Sequence, residues 1–153
     1  MVIRKTEEEV IMKNNLTSVY LDIDGTILTK DGVPAHGATE LIQYCVENFD
    51  TYWLTTHCKG DAEVTLKHVK RYFPEESHQY LKKIQATNWG AMKTDALNFS
   101  EDFIWFDDYL MQVELQVLED NNAESKHIMI NLEEDPHQLE EMLEYLKTFK
   151  QNK

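Results

Sequence analysis

Two carboxylates stand two positions apart, Asp22 and Asp24, in the run Asp22-Ile23-Asp24-Gly25-Thr26. Just before them lies Val19-Tyr20-Leu21, a short apolar run of strand formers. Where a chain leaves a strand, residues i and i+2 point the same way, so both acids face one pocket, and Gly25 permits the sharp turn that follows. Such a pair suits phosphoryl transfer. In such a reaction Asp22 would attack phosphorus to give an aspartyl-phosphate, while Asp24 would protonate the leaving oxygen and later deprotonate the attacking water.

Phosphate is itself negative, so carboxylates approach it only with cations at hand. Asp107-Asp108 offers hard oxygen ligands for Mg2+, and Lys93 offers a point charge. Thr55 brings a hydroxyl, and the loop that continues through Thr56 brings backbone N–H groups, to hold the non-bridging oxygens in line for attack.

These residues need a scaffold that gathers them. Thr51-Tyr52-Trp53-Leu54 reads as a strand ending in Thr55, and Phe103-Ile104-Trp105-Phe106 as one ending in Asp107-Asp108. His127 to Leu132 is a further strand, and Ile84-Gln85-Ala86 a weaker candidate, so about five strands are expected. Ala38, Leu41, Ile42, Cys45 and Val46 form one face of a helix, which makes Cys45 a core residue. Asp61 caps a second helix carrying Ala62, Leu66, Val69 and Phe73, with Pro74 as its stop. Residues 109–122 alternate like a strand at Met111, Val113, Leu115 and Val117 but also fit helix faces; they are read as helix. The last helix starts from an Asp135 cap, with Pro136 first and Gln138 completing a capping box, and carries the stripe Leu139, Met142, Leu143, Leu146, Phe149.

Strands alternating with helices predict an α/β, Rossmann-like parallel sheet with helices on both faces, joined by right-handed crossovers. In such sheets ligands sit at the carboxyl ends of the strands, where all three polar endings meet. Residues 18–153 are read as this single domain. Residues 1–17 form an extension, in which Thr6 and Glu9 are spaced as a capping box ahead of Val10 and Ile11 and predict a short helix.

Val19 to Thr26, Leu54-Thr55, Lys93-Thr94-Asp95-Ala96-Leu97 and Phe106-Asp107-Asp108 resemble the four ordered motifs of the haloacid dehalogenase superfamily. The resemblance spans residues 18–132. It implies a Mg2+-dependent phosphatase of that fold, with Asp22 as nucleophile, Asp24 as acid/base, and Thr55, Thr56 and Lys93 on phosphate. It also implies a metal held by Asp22, Asp24 and the pair Asp107 and Asp108, Asp24 contributing its main-chain carbonyl. Asp108 is favoured as the direct ligand of the acidic pair. Family members often insert a cap domain between motifs, whereas here roughly 30 residues separate them, room for one helix and a hairpin. A capless site stays open, which implies a bulky phosphorylated substrate or a second subunit of a homo-oligomer that closes the pocket. Two other readings compete: a phosphate-sensing receiver-type module, whose acidic pair would stand at the first strand and whose acceptor on a later one, which is not the arrangement here, and a non-catalytic protein that keeps the metal site.

The surrounding side chains carry blander expectations. His57 and Lys59 read as turn and solvent residues, Trp89 as a loop anchor, and His36 and His137 as scattered histidines without ligand spacing. In 153 residues Asp and Glu outnumber Lys and Arg by 28 to 15, a formal charge of −13 that disfavours extended nucleic acid as a partner. Two cysteines without closely spaced pairs, no apolar leader and no membrane-length run lead to the expectation of a cytoplasmic protein that does not enter membranes.

Overall fold

The computed structural model describes residues 15–150. Its strands are β1 (Ser18–Leu21), β2 (Asp50–Trp53), β3 (Phe103–Asp107) and β4 (His127–Met129). They form one parallel sheet in the order β2-β1-β3-β4. Leu21 lies opposite both Trp53 and Phe106, so Asp22, Leu54 and Asp107 come level at the carboxyl edge. Strand alternation divides the side chains cleanly. Val19, Leu21, Trp53, Ile104 and Phe106 enter one apolar layer, and Tyr20, Phe103 and Trp105 enter the other.

Among the described residues five α-helices follow in chain order: α1 (Ala38–Asn48), α2 (Ala62–Lys70), α3 (His78–Leu81), α4 (Gln112–Asp120) and α5 (Gln138–Leu146). The first layer is covered by α1, α2, α3 and α5, and α1 buries the five residues its spacing marks, Ala38, Leu41, Ile42, Cys45 and Val46. Each large aliphatic side chain buried this way contributes about 1.5–3 kcal/mol. Burial pushes the Cys45 thiol far up, as suits a core residue and not a nucleophile. The second layer is covered by Leu118 of α4 and by the segment that carries Trp89, Leu97 and Phe99.

This distribution fixes where the sheet can bind. From β1 the chain moves outward to β2 and on to Gln85, which bridges Tyr52 at the edge, with the intervening helices on the first layer. It then returns across the second layer to β3 and moves outward the other way through α4 to β4. Opposite directions on opposite faces are what uniform crossover handedness produces, and the reversal falls between β1 and β3. The crevice beyond that switch point, at Asp22 and Asp107, is where open α/β sheets take ligands.

Several expectations are adjusted. The fifth strand reduces to the single bridge at Gln85, whose N–H and C=O bond Thr51 and Trp53. The Thr87 hydroxyl then takes the Trp53 carbonyl, which removes the acceptor that a longer ladder would use. The strand expected over residues 127–132 stops at Met129, although Ile130 N–H still donates to Asp107. The last helix begins at Gln138 and not at Pro136. Asp135 accepts from the His137 N–H, and the Gln138 amide, instead of closing a capping box, ties the helix start to Asn131 and Met129. Residues 109–122 are helical over Gln112–Asp120. Asp61 caps α2 through the N–H groups of Glu63 and Val64. The short helix expected around Thr6 to Ile11 lies outside the described residues. No helix among the described residues is long and apolar enough to cross a membrane.

Candidate active site at the carboxyl edge of the sheet

Asp22 follows β1 directly and is 7% exposed, with its N–H bonded to the Phe106 carbonyl. Asp107 closes β3 and is more deeply buried. Between them reaches Lys93, whose Nζ lies 2.6 Å from Asp107 Oδ2 and 3.4 Å from Asp22 Oδ1. Two carboxylates thus share one ammonium in a poorly hydrated pocket. Burial raises the Asp22 carboxyl above its ordinary range, against the pull of Lys93. Burial and the neighbouring Asp22 push Asp107 up to about 8 even with Lys93 beside it. The Lys93 ammonium is held protonated by the two acids, which outweigh its own burial.

Lys93 owes its position to a residue that the motifs do not contain. It opens a short 3₁₀ turn, Lys93–Ala96, and its backbone N–H donates to Glu114 Oε2 at 2.8 Å. Glu114 Oε1 accepts from the Met111 N–H at 3.1 Å. Glu114 is 3% exposed, so one buried carboxylate satisfies two backbone donors and fastens the Lys93 turn to the start of α4. The only trace of this in the sequence is a Glu near the start of an ambiguous helix.

Asp24 and Asp22 end in different surroundings. The Asp24 side chain is 65% exposed and its Oδ2 lies 2.7 Å from His57 Nε2. His57 stacks on His68, ring centroids 3.9 Å apart, and its backbone is held by Thr55 Oγ1 on one side and the Thr65 hydroxyl on the other. His57, expected to be a turn residue, therefore touches a candidate catalytic carboxylate. Lys59 does not face the site; its ammonium sits 3.2 Å over the Trp89 ring and donates to the carbonyls of Trp89 and Gly90. Trp89 accordingly anchors its loop.

The remaining candidates fall as follows. Thr55 is buried at the same edge, one step beyond the level of Asp22, and accepts the His57 N–H; Thr56 is exposed in the same turn. Asp108 is exposed, and oxygens of Asp22, Asp107 and Asp108 lie within 4.8 Å of one another. Gly25, at φ +77°, lets Asp108 in: a Cβ there would collide with the Asp108 carboxylate. Both Asp107 oxygens are engaged, one by Lys93 and one by the Tyr109 N–H. The all-oxygen donor set fits a hard divalent cation such as Mg2+. The Asp24 carboxylate stands outside this cluster, which leaves Asp24 only its main chain to offer a metal.

Open space adjoins the acids. A groove of about 680 Å3 runs from Gly25 and Asp108 to Lys30, Asn131 and Glu133, and a smaller one of about 380 Å3 reaches Asp24 and Tyr72. Between Asp24 and Thr55 the chain contains the turn around Gly32, where Leu28 bridges Pro34, then α1 and β2, and no inserted domain. Comparison with family models, with curated proteins and with solved structures finds no match to this chain.

Proposed function

We propose that this protein is a Mg2+-dependent phosphohydrolase of the haloacid dehalogenase type, acting on a phosphomonoester through an aspartyl-phosphate on Asp22. The observation that carries this reading is the placement of Lys93 Nζ between Asp22 and Asp107 at the sheet's switch point. A protein that only held a metal would gain nothing from an ammonium buried among the acids of its metal site. A phosphoryl group needs that charge as well as the metal.

The residues divide the reaction by their surroundings. An oxygen of ionised Asp22 forms a bond to phosphorus as the bond to the leaving oxygen breaks, and Asp24 delivers a proton to that oxygen. Asp24 then takes a proton from water, which attacks phosphorus, releases inorganic phosphate and frees the Asp22 carboxylate. Asp24 can exchange protons with solvent because it is exposed, whereas Asp22 is nearly enclosed. His57 holds the Asp24 carboxylate in place. Lys93 and Thr55 orient the phosphoryl oxygens, with Thr56 at the rim. Asp22, Asp108 and the Asp24 carbonyl would hold Mg2+, with Asp107 fixing Lys93 beside them. When bound, the metal neutralises charge on the phosphoryl oxygens and lets Asp22 ionise.

The open grooves suit a bulky phosphorylated substrate, or a neighbouring subunit that closes over a small one. The test is phosphate release from a panel of nitrophenyl phosphate, nucleotides, sugar phosphates and phosphopeptides, with and without Mg2+. Release that requires Mg2+ and is lost in Lys93→Met supports the assignment; metal-independent release, or release untouched by Lys93→Met, refutes it.

A further inference from the structure

We propose that His36, His137 and Glu140 form a second cation site, of borderline-soft character and fitted to Zn2+, which clasps the start of α1 to the start of α5. It is independent of the phosphatase reading. His36 is remote in sequence from His137 and Glu140, yet one donor atom from each of the three lies within 4.8 Å of the others. His137 Nδ1 is 3.2 Å from Glu140 Oε1. Two ligands on one tetrahedral zinc, each at about 2.0–2.1 Å, stand roughly 3.3 Å apart, so this pair already has the spacing of a shared metal. The remaining separations close by rotation of exposed side chains.

A His and Glu three residues apart on a helix explain their own contact without a metal. They do not explain His36. Its exposed ring stacks on that of His137, with centroids 4.4 Å apart and planes 13° from parallel, so both imidazoles are already in contact; to ligate one ion through their in-plane nitrogen lone pairs, one ring turns out of this stack. The backbone is also shaped for the approach. Gly37 adopts φ +78°, and a Cβ there would stand 2.8 Å from Glu140 Cγ and 3.3 Å from the Glu140 nitrogen. Only glycine lets the α1 start lie against Glu140 this closely, which brings His36 within reach of the other two. On either side the chain is anchored in the core: Ala35, Ala38 and Leu139 are buried.

The donor chemistry separates this site from the acidic one. Two imidazoles and one carboxylate suit zinc or cobalt, with a fourth position left to water or another donor, whereas the oxygen-only cluster at Asp22 suits Mg2+. The two sites therefore need not compete for one ion.

The test is calorimetric titration of Zn2+ into the full chain with Mg2+ in large excess, and visible absorption of the Co2+ form. Expected is one Zn2+ per chain, with affinity lowered at least roughly tenfold in His36→Ala and in His137→Ala, and lowered again in Glu140→Gln. Asp108→Asn should leave it unchanged. The metal-free variants should melt as the wild type does, because all three side chains are exposed; His36→Asn and His137→Gln serve if an alanine variant does not fold. Zinc binding that survives both histidine substitutions, or no zinc binding by the wild type, overturns the proposal.

Discussion

Asp22, Asp107 and Lys93 place two acids and one base in a space that excludes most water, and the imbalance has a consequence for stability. Unfolded, Asp107 releases its proton near 3.8; folded and metal-free, it holds it to about 8. The folded state therefore binds more protons than the unfolded state across that window, and stability falls as pH rises through it. His127, edge-on to Trp105 and pushed down to about 4 by burial, has the opposite sign, losing stability as pH falls from 6.5 towards 4. The two separate above neutrality. Thermal melts in chelator should show a lower midpoint at pH 8 than at pH 7 for the wild type. The decline should be smaller in Asp107→Asn, which has no carboxyl to titrate there. A wild-type midpoint that rises over this interval counts against the shared-ammonium description. At the same scale, His57→Ala should lower kcat by roughly tenfold with little change in KM, since the contact is to Asp24, the acid proposed to carry the proton, and not to phosphate. His57→Gln, which can still donate to Asp24, should recover part of it; equal loss in both variants would remove His57 from its positioning role.

At the scale of elements, Glu114 joins the Lys93 turn to α4, so its loss should show in stability and turnover together. Glu114→Ala leaves the N–H groups of Lys93 and Met111 without their acceptor, at a cost of about 1–3 kcal/mol each where they stay buried. Chemical denaturation should register this, and Lys93 should lose its fixed place between the two acids. A variant with unchanged stability and unchanged kcat would show that the turn is held by something else. Glu114 also marks where reading the chain without its fold stops. The polar endings of the first three strands were legible because a strand carries its side chains at fixed phase, and α1 because five apolar residues repeat with the helical period. Contacts between distant segments leave no period. His57 meets Asp24 across 33 positions and Glu114 meets Lys93 across 21, so neither has a local signature. The same holds for the edge at Gln85, where the Thr87 hydroxyl competes for a strand carbonyl, and for Gln138, which bonds back to β4 and not to its own helix.

For the molecule as a whole, the net charge of −13 opposes the approach of any phosphate ester. The field is screened beyond about 8 Å at physiological ionic strength. kcat/KM for a highly charged substrate such as a nucleoside triphosphate should therefore rise by a few-fold from low salt to about 0.15 M, and less for nitrophenyl phosphate. Steady-state kinetics at two salt concentrations would show this; a fall with added salt would mean that local basic residues, Lys30 among them, outweigh the global field. The exposed grooves beside Asp24 and Asp108 carry no inserted domain to shield the reaction from water. On the proposed mechanism, speed would come from the positioning of Asp22, Asp24, Thr55 and Lys93 around the phosphoryl group and its metal.

The most direct measurement of the central claim is a single-turnover experiment with a 32P-labelled phosphomonoester that the wild type hydrolyses, in the presence of Mg2+, followed by acid quench and mass mapping. Label should appear transiently on Asp22 in the wild type. It should be absent in Asp22→Asn, and it should persist in Asp24→Asn, which lacks the base for the second step. Turnover without label on Asp22, or turnover retained in Asp22→Asn, would contradict an aspartyl-phosphate mechanism at this site.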